Sequence, residues 1–240
     1  NYLPFKFIKR ILNGSNNKTK INFSKIIKKL SSNSDPKILI IGGGSVGVGV
    51  DLFYNKFKNN IVSFDVYDTD YVDFIGDANH TPFEDNSFDF VLIQAVLEHV
   101  ENPNKVVSEI YRILNDQGLV YAETPFLQHV HEGAYDFTRY TVLGHRMLFK
   151  KFEKIDIGYI GGLGQSLLWS IEFYTKSLFR SKLAGKLFKL MFFWLRLLEA
   201  IIPDSYNDDG ACGSFFYGIK DLNNPKKPLN KYLDDYQGNQ

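Results

Sequence analysis

The stretch that decides the fold is ILIIGGGSVGVG, residues 38–49. Its β-branched and aliphatic run predicts a buried strand, and the glycines predict a tight turn into a helix whose N-terminus can hold a ligand. The spacing Gly42-x-Gly44-x-x-Gly47 fits a dinucleotide fingerprint, but similar turns bind S-adenosylmethionine (SAM) or serve packing alone. The turn by itself leaves these three alternatives open.

Strand-like and helix-like sequence patterns alternate along the chain from residue 37 to residue 162. The strand-like runs lie at 37–43, 60–68, 88–96, 118–125, 152–162 and 211–220, and the helical spacings lie at 50–58, 103–114 and 141–151. Such alternation predicts a mostly parallel sheet with helices on both faces. Ligands of these sheets bind beyond the carboxyl ends of the strands, so polar residues that follow a strand are candidate site residues.

The same patterns divide the chain into three parts. We expect a basic helical leader at 1–36, a main domain at 37–222 with a helical insertion at 163–205, and a polar tail at 223–240 that frays. Within the insertion, residues 183–202 are apolar on nearly every face. A helix of this kind is expected to be buried against the domain or in a homodimer interface, and the alternative is peripheral contact with a membrane.

The charge distribution and the cysteine content limit the kinds of protein and of partner that fit this sequence. The formal net charge is +1, but residues 1–37 carry nine Lys or Arg against Asp35 alone. The single cysteine, Cys212, excludes an intramolecular disulfide framework and predicts a reducing, cytoplasmic location. No group of His, Cys, Asp or Glu has the sequence spacing of a metal site, and we expect neither a metal nor a nucleic-acid partner.

Acidic residues beyond the glycines bear on the ligand. Asp65 ends the second predicted strand about twenty residues later, where a carboxylate can accept hydrogen bonds from ribose hydroxyls. That position suits NAD and SAM equally. The segment GDANHTPFEDNSFDFVLIQAVLEHV, residues 76–100, is more specific, because it resembles the class I SAM-dependent methyltransferase branch with a D-A-x-x-x-P-F and L-E-H pattern.

The resemblance implies a Rossmann-like, doubly wound, seven-stranded sheet with the helical insertion before the last strand, and SAM as the cofactor. It also implies which residues contact SAM: Gly42, Gly43, Gly44 and Gln94 on the methionyl side, Asp65 and Val66 at the ribose, and Asp77 and Ala78 at the adenine. Two positions depart from the family pattern. Ile40 stands where the family has an acid, and the third glycine is displaced from Val46 to Gly47.

Methyl transfer to a hydroxyl or an amine also needs alignment of donor and acceptor and removal of a proton. The segment HVHEGAYDFTRYT, residues 129–141, resembles the stretch that lines the acceptor side in this branch. The candidate catalytic residues are His131, His99 and Asp136, with His131 as the first choice for the base, and the candidate substrate-binding residues are His129, Arg139 and Tyr140. Asp136 and Arg139 have the alternative role of pairing to fix the loop.

The expected function is therefore transfer of a methyl group to a small-molecule, sugar or lipid-linked acceptor. Two other classes stay open. A NAD-dependent nucleotide-sugar enzyme would need a catalytic Tyr-x-x-x-Lys, and Tyr54 and Lys58 have that spacing, although they fall in the first predicted helix. A degenerate SAM-binding scaffold is suggested by the missing acid at Ile40.

Overall fold

A computed structural model of the chain describes residues 17–223 and 227–240. Seven strands form its centre: β1 Ile38–Ile41, β2 Ile61–Asp65, β3 Phe74–Ile75, β4 Phe88–Gln94, β5 Leu114–Pro125, β6 Glu153–Ile160 and β7 Gly213–Ile219. The α-helices are α1 Asn17–Leu30, α2 Asp51–Phe57, α3 Pro103–Ile113, α4 Val142–Leu148, α5 Leu163–Leu178, α6 Lys182–Met191, α7 Asp204–Gly210 and α8 Leu229–Leu233. Two 3₁₀ segments, Gly133–Tyr135 and Phe193–Ile201, complete the set.

The strands form one mixed sheet in the order β3-β2-β1-β4-β5-β7-β6. All neighbours from β3 to β5 are parallel, and β7 runs antiparallel to both β5 and β6. This is the Rossmann-like, mostly parallel architecture that the sequence predicts. The fold class is confirmed.

The core lies in two layers, one on each face of the sheet. Along β1, Leu39 and Ile41 pack into one apolar cluster, while Ile38 and Ile40 pack into the other. Successive side chains of a strand point to opposite faces, so a strand covered by helices on both sides must be apolar at every position. The unbroken run ILII is the consequence, and it fixes β1 at the centre of the domain.

Helix α1 is part of the domain. Phe23, Ile26 and Leu30 are buried in the second cluster, and Thr19 and Asn22 are buried beside them. The leader predicted at 1–36 therefore supplies a core helix to the sheet over its described part, while residues 1–16 lie outside the described residues. Its lysines lie on the outer side, where Lys18 pairs with Asp204 at 3.0 Å.

The insertion between β6 and β7 contains α5, α6, the second 3₁₀ segment and α7. Its packing contradicts the expectation that residues 183–202 are buried against the domain, because Trp194 is 46% exposed and Ile201 79% exposed. Instead the close contact with α5 is made by Gly185 and by Lys189, which binds Glu172 at 2.6 Å. Burial by a second copy stays a prediction. In the described part of the chain, no helix is long and apolar enough to cross a membrane.

The described part of the C-terminal tail packs on the domain, contrary to the expectation that it frays. Tyr232 of α8 is buried, and its hydroxyl donates to the carbonyl of Lys150 at 3.0 Å. Asp235 accepts from the guanidinium of Arg146 at 2.9 Å and also pairs with Lys154. The Arg146 side chain is 1% exposed. The tail therefore neutralises a buried charge of the main domain.

We expect Asp235→Asn to lower the free energy of unfolding by about 3 kcal/mol, because it leaves the buried Arg146 without its counter-charge. Asp234→Asn is the matched control, since Asp234 is exposed and its ion pair with Lys231 at 3.8 Å should contribute less than about 0.5 kcal/mol. Urea denaturation followed by circular dichroism measures both changes. Equal effects of the two substitutions would contradict the role given to Asp235.

Candidate cofactor and acceptor site

A cavity of about 1140 Å³ opens at the carboxyl ends of the parallel strands. The glycine turn after β1, the loop after β2 and the loop after β4 line one part of it, and the loop after β5 and helix α5 line the rest. The strand order reverses between β1 and β4, so the chain leaves these two strands toward opposite faces. The cavity is the crevice that this divergence creates.

The glycine turn is packed tightly against the acid of β2. The backbone N–H of Gly44 donates to Oδ2 of Asp65 at 2.9 Å, and a Cβ at Gly44 would lie 2.7 Å from the same oxygen. Gly42 has φ +76°, in the left-handed region that favours glycine. Gly43, predicted to contact the cofactor, instead faces the sheet, where a Cβ would overlap the hydroxyl of Ser63. The other two glycines line the cavity.

The predicted ribose and adenine contacts also lie in the cavity wall. Asp65, Val66, Asp77 and Ala78 all line it. Oδ1 of Asp65 accepts the N–H of Tyr67 at 3.2 Å. Asp77 accepts the backbone N–H and the side-chain amide of its near neighbour Asn79, and the backbone bond lowers the pKa of the Asp77 carboxyl. Because a carboxylate offers about four lone-pair sites, both acids retain acceptor capacity for a ligand.

A buried carboxylate that the sequence analysis missed lies at the end of β5. Glu123 accepts from Gln94 Nε2 at 2.6 Å and from the Tyr121 hydroxyl at 2.7 Å, and it also accepts from the Thr19 hydroxyl of α1. Burial raises the pKa of Glu123, and these three donors oppose that effect. Glu123 and Gln94 both line the cavity. The signal in the sequence was a single acid within the apolar strand LVYAETP.

The acceptor side brings together residues from two loops. His99 and Glu98 follow β4, and His131 comes from the loop after β5, yet the two histidine Nε2 atoms are 3.2 Å apart. The carboxylate of Glu98 lies beside His131 and raises the pKa of the His131 imidazole, and Asp136 adds to that effect. All three residues line the cavity. The structure thus brings together two of the candidate catalytic residues, His131 and His99, at the cavity wall.

Asp136 and Arg139 do not line the cavity, which corrects their predicted catalytic and substrate-binding roles. The guanidinium of Arg139 binds both carboxylate oxygens of Asp136 and lowers the pKa of that carboxyl to about 2. Its N–H groups also donate to the carbonyls of Gln128, His129 and Thr138. All five donors of Arg139 are therefore used within the loop, and the pair fixes the loop that carries His131.

Two further expectations for substrate contacts are not met. His129 packs on Phe173 at 4.2 Å between ring centroids and lines a separate pocket of about 610 Å³ against the insertion. Tyr140 stacks on His145 and does not line the main cavity. Gln165 and Trp169, which lie four residues apart on one face of α5, line this part of the cavity. The sequence carried no signal for them, because they belong to the insertion.

Residues 45–122 match a family model described as a methyltransferase domain. An uncharacterised protein of Methanocaldococcus jannaschii is 32% identical over 120 residues, which cover 47% of this chain and 51% of that protein. A demethylmenaquinone methyltransferase of Lactobacillus johnsonii is 47% identical over 45 residues, 19% of this chain and 18% of that enzyme. The chain therefore spans about half the length, or less, of these curated relatives.

Among solved structures, phosphoethanolamine N-methyltransferase 2 of Haemonchus contortus in complex with SAM superposes with a TM-score of 0.52. The two chains are 19% identical, and the match covers 90% of this chain and 56% of that one. At this identity the likeness concerns the fold. The chain shares the fold of this methyltransferase, and its residues 45–122 match the methyltransferase-domain model.

The clasp between Arg139 and Asp136 can be tested by Arg139→Lys. Lysine keeps the charge but cannot make the two-pronged contact, so we expect hydrogen exchange of the His131 amide to become about 10–100-fold faster. Exchange of the segment 126–140 measured by mass spectrometry checks this, with Arg180→Lys, at an exposed turn position after α5, as the control. Unchanged exchange in the Arg139 variant would argue against the clasp.

Proposed function

We propose that this chain binds SAM in the cavity and transfers its methyl group to a hydroxyl or an amine of a small-molecule, sugar or lipid-linked acceptor. The observation that carries the proposal is the contact between Gly44 and Asp65, which joins the glycine turn to an acid at one end of a cavity whose other end holds titratable side chains. SAM supplies an electrophilic methyl group, so the protein's contribution is alignment and removal of the acceptor's proton.

The residues of the cofactor half suit SAM. The lack of a side chain at Gly44 lets the turn pack directly on Asp65, whose carboxylate can accept from both ribose hydroxyls. Ile40, where the related enzymes have an acid, is 2% exposed and brings no charge. In our proposal Glu123, oriented by Gln94, supplies the negative charge for the cofactor's amino group.

The acceptor half is formed by the His99–His131–Glu98 group together with Gln165 and Trp169 of α5. The volume of about 1140 Å³ exceeds the ~300–1,000 Å³ typical of a pocket for one drug-sized ligand, which leaves room for a second molecule beside the cofactor. An aromatic ring and an amide on the insertion suit a polar acceptor with an apolar face. The insertion therefore sets the acceptor's shape in this proposal.

The NAD-dependent alternative is disfavoured by the environment of Tyr54. A tyrosine that acts as a base needs a lowered pKa, whereas burial raises the pKa of Tyr54 to about 12. Lys58, the other member of the Tyr-x-x-x-Lys pair, is exposed at the end of α2 and does not line the cavity. The scaffold alternative makes a different prediction, namely SAM binding without turnover.

We expect Asp65→Asn to weaken SAM binding by about 10–100-fold, because an amide replaces one acceptor oxygen of a charge-assisted contact and adds a donor. Asp68→Asn is the matched control: Asp68 is exposed three residues later and does not line the cavity. Titration calorimetry with SAM, with its demethylated product and with NAD measures the three affinities. Binding of NAD without binding of SAM would overturn the cofactor assignment.

Turnover is tested by incubating the protein with SAM labelled on its methyl group and with separate aqueous and organic extracts of small molecules. Formation of the demethylated product in the presence of one extract supports transfer, and the fraction that retains the label separates sugar-like from lipid-linked acceptors. His80→Asn serves as a control for histidine loss outside the acceptor half, since His80 does not line the cavity. Binding of SAM with no turnover on either extract would favour the scaffold.

A further inference from the structure

Three lone-pair donors converge on one point of the cavity wall. The Nε2 atoms of His99 and His131 are 3.2 Å apart, and Oε1 of Glu98 lies 3.7 Å from the first and 3.6 Å from the second. Glu98 and His99 are adjacent in the chain, while His131 comes from another loop. The fold, and not the local sequence, creates this triangle.

The carboxylate of Glu98 is the unusual member. Its side chain is 0% exposed, and within residues 17–223 and 227–240 neither of its oxygens has a hydrogen-bond partner. A buried carboxylate without hydrogen bonds or a counter-charge is strongly unfavourable. Glu98 is also held in place, because its carbonyl accepts the backbone N–H of Phe137 at 2.8 Å. A cation bound between Glu98 and the two imidazoles would compensate the buried negative charge of Glu98.

The hydrogen bond at Nδ1 of His99 directs the lone pair of its Nε2 toward Nε2 of His131. Nδ1 of His99 lies 2.7 Å from the carbonyl of Tyr135, so Nδ1 carries the proton and Nε2 presents its lone pair. Nδ1 of His131 lies 3.5 Å from Oδ2 of Asp136, an arrangement that favours the same tautomer. With both rings in this tautomer, the two Nε2 lone pairs face the Glu98 carboxylate, and a bound cation takes the place of the proton that a direct Nε2–Nε2 hydrogen bond would need.

We propose that Glu98, His99 and His131 are three ligands of a divalent first-row transition-metal ion, with zinc as the reference case. Zn–N and Zn–O bonds of about 2.0–2.2 Å in tetrahedral geometry place neighbouring ligand atoms roughly 3.3–3.6 Å apart, and the observed separations are close to these. Two imidazoles and one carboxylate favour such an ion over Mg²⁺ or Ca²⁺, which take oxygen ligands.

The surroundings match those of metal-binding histidines. Such histidines donate their other ring N–H to a carbonyl or a carboxylate; the carbonyl of Tyr135 takes that place for His99, and the carboxylate of Asp136 lies 3.5 Å from Nδ1 of His131 without a direct hydrogen bond. Asp136 is in turn fixed by Arg139. The residues beyond the ligands thus orient the ring of His99 and fix the loop that carries His131.

The proposed ion deepens the proposed function and rests on it for its role in catalysis. Three protein ligands leave a fourth position, and all three line the cavity, so an acceptor hydroxyl can take that position. A hydroxyl bound to the ion loses its proton to solvent more readily than an unbound one. His131 would then act as a ligand, and the proton would not be removed by its imidazole.

The competing occupant of the triangle is a proton. If His131 is an imidazolium, its two N–H groups can face Glu98 and Asp136, and the group needs no metal. The two occupants are distinguished by the affinity of the wild-type protein for an added ion. A protonated His131 gives no specific uptake of Zn²⁺ at neutral pH, whereas the proposed site takes up one equivalent.

The experiment starts from chelator-treated full chain, to which Zn²⁺ is returned by equilibrium dialysis and counted by mass spectrometry. We expect one equivalent for the wild-type protein and a loss of affinity of at least about 100-fold for Glu98→Gln and for His131→Asn. His129→Asn is the matched control, because His129 lies two residues away and packs on Phe173 instead. The visible absorption of the Co²⁺-loaded protein reports the ligand geometry.

Circular dichroism and thermal unfolding of each variant show whether it is folded. Zn²⁺ should raise the unfolding temperature of the wild-type protein and of His129→Asn, and it should leave that of Glu98→Gln unchanged. Absence of a bound equivalent in the wild type, or equal binding by Glu98→Gln, would overturn the metal site. These measurements need neither SAM nor an acceptor. A protein that binds the metal but not SAM would contradict the proposed function and would still support the metal site.

Discussion

The order of β1 and β4 in the sheet is the constraint on which the rest of the structure depends. These strands are neighbours and parallel, and the chain reaches β4 only after placing β2 and β3 on the other side of β1. The segments that leave β1 and β4 therefore diverge, and their polar residues meet across a crevice. Asp65, Gln94 and Glu98 face one cavity for this single topological reason.

Rigidity of the loop after β5 is the second requirement, because this loop carries His131 away from any strand. The loop has no regular structure beyond the short 3₁₀ segment Gly133–Tyr135, so side chains must fix its backbone. Arg139 does so by binding Asp136 and three backbone carbonyls, and Asp136 accepts the N–H of His131 at 2.8 Å. Asp136 and Arg139, which the sequence suggested for catalysis and substrate binding, instead hold the backbone of His131 in position.

The sequence predicted the sheet and most of the cofactor half because both are encoded locally. The run ILII and the glycines after it define a strand and a turn without reference to distant residues, and Asp65 follows at a spacing set by one βαβ unit. The acceptor half is different. His99 and His131 are 32 positions apart, and no periodicity in the chain shows that their rings meet. Likewise, the apolar residues of α6 could not reveal that Gly185 and Lys189 make the close contact with α5.

Two buried carboxylates in the same cavity show how environment divides their roles. Glu123 accepts hydrogen bonds from three donors contributed by α1, β4 and β5, so it can remain buried in the absence of a ligand. Glu98 has no hydrogen-bond partner in the described residues and lies 3.7 and 3.6 Å from Nε2 of His99 and His131. The donors of Glu123 make it a fixed acceptor for a ligand's N–H groups, whereas the lack of donors at Glu98 favours a cation as its partner. One chemical group therefore serves two ends of the cavity, because the fold supplies hydrogen-bond donors to Glu123 and places two imidazole Nε2 atoms beside Glu98.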